Sequence, residues 1–187
     1  CKIVRVGLSG LDAVAHYRFG KCVRRAAEAL GRDTVLIASG DLSHKLLEEG
    51  PYGYAEEGPA FDAAMTRAMA EGDFYAMMTC EQNLREAAAE CGLGAFQIMA
   101  GVFDRQKVAS ELLCYEGPLG VGYAVAAFTP AGEDESRAFD VRVQQTERER
   151  VAIARSEEDA FTRLARRSVE SFVRTGKAPE GLPKDWA

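Results

Sequence analysis

The stretch TVLIASGDLSH, residues 34–44, decides how the rest of the chain is read. Its first half, Val35-Leu36-Ile37-Ala38, is a short apolar run with the β-branched character of a buried strand. Ser39, Gly40, Asp41, Leu42, Ser43 and His44 follow directly. A glycine and several hydrogen-bonding side chains therefore fall just past the strand's carboxyl end. In open α/β sheets that edge lines the ligand crevice. His44 is one of two histidines in the chain and is the first candidate for chemistry. Position alone allows a plainer reading too, in which Asp41 and Ser43 cap the next helix and His44 is a half-exposed loop residue.

Upstream, residues 2–8 (KIVRVGL) read as a strand, and residues 15–30 as a helix with Cys22, Val23, Ala26, Ala27 and Leu30 at helical spacing. Gly31 stops that helix, and 34–39 is the second strand. Strand, helix and strand in this order predict a βαβ unit with a parallel pair. Downstream of His44, the loop GPYGYAEEGP is long enough to fold over a pocket mouth. Pro59 suits the first turn of a helix over 60–70, with Phe61, Ala64, Met65, Ala68 and Met69 as its buried stripe. Thr79 and Gln82 have capping-box spacing for a helix running through Leu84, Ala87, Ala88 and Cys91. The apolar run 95–103 fits either a helix or a strand. Residues 111–115 and 123–128 read as strands joined by a glycine-rich turn that lacks phosphate-binding spacing.

From Pro130 the chain turns polar and charged, as in AGEDESR and QTERER, the signature of a linker. A further helix is expected from Ser156, with Asp159 at capping distance, one apolar face through Phe161, Leu164, Val169, Phe172 and Val173, and a stop at Gly176 and Pro179.

With 187 residues, 47% hydrophobic and 28% charged, the chain is expected to be globular and soluble. Its net charge of −6 gives no reason to expect nucleic acid or an anionic membrane as partner. No apolar run approaches the ~20 residues of a membrane span, and the opening does not read as a signal peptide. Five dispersed cysteines without a CxxC pair argue against a structural zinc site and for reduced thiols in the cytoplasm. A sequence that opens on Cys1 in a strand-like run and stops soon after a helix reads as an internal piece of a longer protein.

The residues that could carry chemistry are His44 with Asp41 and Ser43, His16, Glu90 beside Cys91, and Tyr52 and Tyr54. Histidine plus carboxylate supports metal binding in a two-His-one-carboxylate arrangement, or acid–base catalysis by an imidazole whose ordinary pKa is ~6.5. A nucleophilic thiol, Cys91 or Cys80, paired with histidine is a third option. Glu90, at a helix end, is by default a solvated carboxylate, and the two tyrosines are by default loop packing.

ASGDLSH, the GPYGYAEEGPAFD loop, AAAECG and YEGPLGVGYAVAAF together resemble the LigB-like class III extradiol ring-cleavage dioxygenases. Within that superfamily the chain resembles the Memo-related proteins of the AmmeMemoRadiSam group. SEEDAFTRLARRSVESFVRTGKAPEGLP resembles the opening of an AMMECR-type domain. The resemblance implies an α/β three-layer sandwich around a mostly parallel sheet. The carboxyl-terminal portion of that domain would occupy 1–130, with a charged linker at 131–155 and the start of the AMMECR-type domain at 156–187. It also implies a non-haem Fe(II) centre, or another divalent metal, that inserts O2 into a catecholic ring. His44 would be the acid–base residue, Asp41 and Ser43 substrate contacts, and Glu90, or alternatively Cys91, the metal ligand. Two ligand histidines would lie upstream, so the chain by itself would offer at most one of three ligands and be inactive. Implied partners are a small aromatic substrate, O2 and other proteins of the group, with an oligomer as an option. The alternative the same resemblance carries is a Memo-like metal- or partner-binding module without dioxygenase activity.

Overall fold

The computed structural model describes residues 2–177. These divide into two compact units, 2–143 and 144–177. The first contains a mixed α/β arrangement whose apolar centre is built from Tyr17, Leu42, Phe61, Met65, Phe74, Met77, Leu93, Phe96 and Ala100.

Helix α1 (Ala13–Ala29) starts where Asp12 accepts the Ala15 N–H at 2.8 Å. Its main neighbour is α5 (Leu93–Val102), the run whose periodicity was ambiguous. The crossing is close because both helices present glycine there. A methyl group on Gly20 would overlap the Ile98 carbonyl, and one on Gly101 would overlap the Tyr17 carbonyl. The run at 95–103 is therefore a buried helix, and its glycine is what lets it approach α1 so closely.

Helix α2 (Glu57–Glu71) begins one turn earlier than the sequence predicts and buries Phe61, Met65, Ala68 and Met69, as the stripe implies. It ends on Gly72, whose left-handed φ of 66° suits a residue without a side chain. The capping-box expectation at Thr79 is not met. Asp73 starts a short helix α3 (Phe74–Met78) first, and the Thr79 hydroxyl donates back to the Tyr75 carbonyl at 2.8 Å. Helix α4 (Gln82–Ala88) is correspondingly short and ends on Ala89 in the left-handed region. Glu90 and Cys91 therefore lie on the α4–α5 turn and not inside a helix.

Strands β1 (Gln106–Glu116) and β2 (Tyr123–Glu133) form an antiparallel ladder, from Gln106 opposite Glu133 to Glu116 opposite Tyr123. Val108, Leu112, Ala124, Ala126 and Phe128 pack against the core. This is the one sheet among the described residues. The parallel sheet and the βαβ unit expected from 2–8 and 34–39 are not formed. Neither stretch pairs with another strand among the described residues. The alternation of 34–38 nevertheless persists: Leu36 and Ala38 pack on the core while Val35 and Ile37 are 88% and 84% exposed. Strand-like patterning is local, whereas the ladder needs a neighbour.

The charged stretch expected as a linker is largely regular. β2 reaches Glu133, and α6 spans Phe139–Ser156. Its polar residues fall at helical spacing, with Gln145 donating to Glu149 at 3.0 Å and Arg150 3.4 Å from Glu147. In the second unit, α7 (Ala160–Thr175) is capped by Asp159, which accepts the Thr162 N–H at 2.7 Å, and closes on left-handed Gly176. Glu158 pairs with Arg166 at 2.6 Å across its first turns. Val169, Phe172 and Val173 are exposed on its apolar face. The expected stop at Pro179 lies outside the described residues, as does the end, 178–187, of the segment expected to open an AMMECR-type domain.

The α1–α5 crossing yields a stability test. Gly101→Ala is expected to lower unfolding free energy by about 1–3 kcal/mol through overpacking. Urea denaturation giving wild-type stability would show that the two helices do not approach so closely.

Candidate metal centre

The apolar run 35–38 delivers the chain to a short segment, 41–45, that is held from three directions. Leu42 N–H donates to the Gly122 carbonyl at 2.9 Å, and Gly122 N–H returns to the Ser43 carbonyl at 2.7 Å, tying the segment to the β1–β2 connection. His44 N–H and the Ser43 hydroxyl both donate to the Ala88 carbonyl, at 3.0 Å each, tying it to the end of α4. Ser43 N–H donates to Asp62 Oδ1 at 2.7 Å, tying it to α2. The second Asp62 oxygen accepts the Tyr115 hydroxyl of β1 at 2.7 Å. Asp62 is 1% exposed, and burial pushes its carboxyl above the ordinary carboxylate range against the opposing pull of Tyr115, Ser43 and His44. Burial likewise pushes the Tyr115 phenol upward, and the facing Asp62 adds to it.

This clamp turns His44 toward Asp41 and the α4–α5 turn. His44 Nε2 lies 3.4 Å from Asp41 Oδ2 and is a buried polar atom with no hydrogen-bond partner. The Cys91 thiol joins them: Asp41 N–H donates to its sulfur at 3.2 Å, and Cys91 N–H donates to the Asp41 carbonyl at 3.3 Å. Gly40 and Gly92 make this approach possible, since a Cβ at Gly40 would overlap the backbone of Gly92. Donor atoms of Asp41, His44 and Cys91 all lie within 4.8 Å of one another. Tyr52, from the glycine- and proline-rich loop, stacks on the His44 ring with centroids 5.0 Å apart and planes 27° from parallel. That loop does fold over the site, with one tyrosine of its two on the imidazole.

Glu90 sits one residue away but faces elsewhere. Its Oε1 accepts from Arg85 Nε at 3.0 Å and Nη2 at 2.8 Å, and its Oε2 accepts the Leu93 N–H at 2.7 Å. The carboxylate is engaged in joining α4 to the start of α5. Ser43 is fully buried, and its hydroxyl, which also accepts the Lys45 N–H at 2.9 Å, supports the loop from within. Cys80, the other thiol considered, is pushed up to about 11 by burial and has no place in the cluster. His16 lies apart, bonded to Ser9 and Gln97. Asp62 and Tyr115 are the residues that sequence reasoning missed. The available signal was an acidic residue at 62 between Phe61 and Met65 of a buried helical stripe.

An imidazole, a carboxylate and a thiolate form a donor set suited to a first-row transition metal. The orphaned Nε2 is the further observation that fits one, because a buried ring nitrogen without a partner is costly unless something occupies it. The set comes entirely from this chain, where the resemblance led to an expectation of a single ligand.

Residues 1–126 match the family profile described as the catalytic LigB subunit of aromatic ring-opening dioxygenase. The chain belongs to the LigB family. It is also 35% identical over 183 residues to Protein CA_C1420 of Clostridium acetobutylicum, an alignment covering 97% of this chain and 38% of that relative. The LigB chain thus spans well under half the length of the curated relative it matches. LigB dioxygenases are typically metal-dependent, in keeping with the Asp41–His44–Cys91 donors. No described helix is long and apolar enough to cross a membrane.

Two measurements check this geometry. Titration of Co(II) into the LigB chain should produce a thiolate-to-metal absorption band that Cys91→Ser abolishes. A band that survives Cys91→Ser would place the ion elsewhere. The raised Asp62 carboxyl sets a sign for pH dependence: the folded state holds that proton more tightly, so stability is favoured below the unfolded carboxyl pKa and declines as pH rises through the folded one. Asp62→Asn should flatten this decline in denaturation midpoints measured from acid toward neutral pH. An unchanged slope would show that Asp62 does not carry it.

Proposed function

We propose that this chain carries the proton-handling edge of an extradiol-type ring-opening site acting on a catecholic aromatic with O2. The observation that carries the reading is His44 Nε2, buried and without a hydrogen-bond partner, beside Asp41 and Cys91 at the end of the apolar run. Cys91 and Asp41 are the donors that would hold a divalent metal, with Fe(II) the expected ion. Such a metal, when bound, supplies a template and Lewis acid for the substrate oxygens and O2.

The rest is done by the chain's own groups. His44 takes a proton from a ring hydroxyl at Nε2 and returns it later in the cycle. The Asp41 carboxylate, 3.4 Å away, stabilises the imidazolium formed in between. Tyr52 fixes the plane of the ring by stacking, so that Nε2 keeps its direction. The clamp through Ser43 and Asp62 holds the backbone that carries both residues.

A second reading is favoured by one specific observation, the convergence of three donor atoms within 4.8 Å. If His44 itself is a ligand, the site is a metal-binding module that opens no ring. One assay separates the two. The protein at its full natural length, loaded anaerobically with Fe(II), is given a catechol panel and followed by absorbance of the ring-opened product. The first reading expects turnover that His44→Ala lowers by about 10²–10⁴-fold while iron stays bound. Loss of iron in His44→Ala, with no ring opening by the wild type, supports the second.

A further inference from the structure

The loop over 45–57 and the connection between β1 and β2 are laced together. Leu46 N–H donates to the Gly120 carbonyl at 3.1 Å, Ala55 N–H donates to the Lys45 carbonyl at 3.2 Å, and Leu46 and Tyr54 form an isolated bridge. Gly50 and Gly120 pass so closely that a Cβ on Gly120 would lie 3.1 Å from the Gly50 Cα. The two segments therefore present one surface.

That surface is apolar where folding does not ask it to be. Leu119, in the tight turn Pro118–Gly120, is 82% exposed and has a left-handed backbone, with φ 59° and ψ 18°. A leucine is strained in that region, whereas glycine or asparagine adopts it at little cost. Exposed and strained, the leucine adds nothing to the fold that those residues would not. Leu47, Tyr54 and Tyr123, on the same two segments, are each about half exposed.

The charge around these side chains has one sign. Glu48 and Glu49 follow Leu47, Glu56 comes two residues after Tyr54, and Glu116 stands opposite Tyr123 in the ladder. All four are exposed, and among the described residues none has an ion-pair partner. Lys45 is the lone cation over 45–57 and 116–123. Repulsion between like charges disfavours a second copy of this surface, an anionic lipid face and a nucleic-acid backbone alike. Apolar anchors set among unpaired carboxylates are complementary to a cationic protein surface.

We propose that this surface docks a basic protein segment, with apolar side chains that meet Leu119 and Tyr123 and flanking lysines or arginines that meet the glutamates. Leu119 is its anchor.

The test uses the protein at its full natural length and the fluorescence anisotropy of a labelled amphipathic peptide of leucine and lysine. A leucine–glutamate peptide and a serine–lysine peptide serve as comparisons. The leucine–lysine peptide should bind about tenfold more tightly than either, and more weakly as salt rises. Leu119→Asn should weaken that binding about tenfold while the urea midpoint stays the same or rises, because asparagine suits the left-handed backbone. Glu48→Gln combined with Glu49→Gln should weaken it too and flatten the salt dependence. Binding indifferent to Leu119→Asn would overturn the proposal, since net charge alone would then hold the peptide. A midpoint lowered by Leu119→Asn would also overturn it, because the leucine would then serve the fold. Two measurements without peptide read the other occupants. Sedimentation as a dimer that Leu119→Asn dissociates would assign the surface to a second copy. Resistance of Leu119→Cys to maleimide labelling would show the surface already covered within the protein. Either result would overturn the proposal.

Discussion

The site depends on one buried carboxylate. Asp62 lies almost wholly out of water on α2, with the Ser43 N–H at one oxygen and the Tyr115 hydroxyl at the other. A buried carboxylate is tolerable when its lone pairs are satisfied. Here the two donors come from the site segment and from β1. The energetic need of Asp62 thus becomes a positional constraint on its neighbours. Gly122 has to be glycine for the same reason, since a Cβ there would overlap Asp62. Through Ser43 the constraint reaches His44, whose own N–H is held by Ala88. The imidazole is aimed by groups that never touch a ligand.

Most of the helical structure was legible because helices are specified by nearby residues. Asp12, Gly72, Asp159 and Gly176 sit at the ends of their helices and act through adjacent backbone groups. Where the reading failed, the reason was competition or distance. Thr79 had a capping pattern, yet Asp73 initiated a helix first and left Thr79 at its end. The charged run at 131–155 has a linker's composition, and most of it is nevertheless helical, its acidic, basic and amide side chains pairing at helical intervals. Residues 34–38 kept strand alternation without a ladder, since pairing depends on a partner remote in sequence.

Legibility of the site followed the same division. His44 was found because it follows an apolar run in a hydrogen-bonding segment. The choice between Glu90 and Cys91 could not be made from the sequence. It turns on Ala89, whose left-handed backbone redirects the chain, and on Arg85, whose pairing with Glu90 five residues later is not a regular helical spacing. Asp62 showed only as an acidic residue beside the buried stripe of α2, and its partners Ser43 and Tyr115 stayed hidden because they are remote in sequence.

The two carboxylates flanking Cys91 then have opposite electrostatic meanings. Asp41 has a 42% exposed side chain and, among the described residues, only His44 as a possible cationic partner. It leaves negative potential beside the thiol, a place for a cation. Glu90 is matched by Arg85, so its charge is already balanced on the other side of the thiol. One thiol therefore borders a carboxylate open to a cation and another that is already paired. The charge around Cys91, more than the fold, singles out its Asp41 side as the candidate place for a metal.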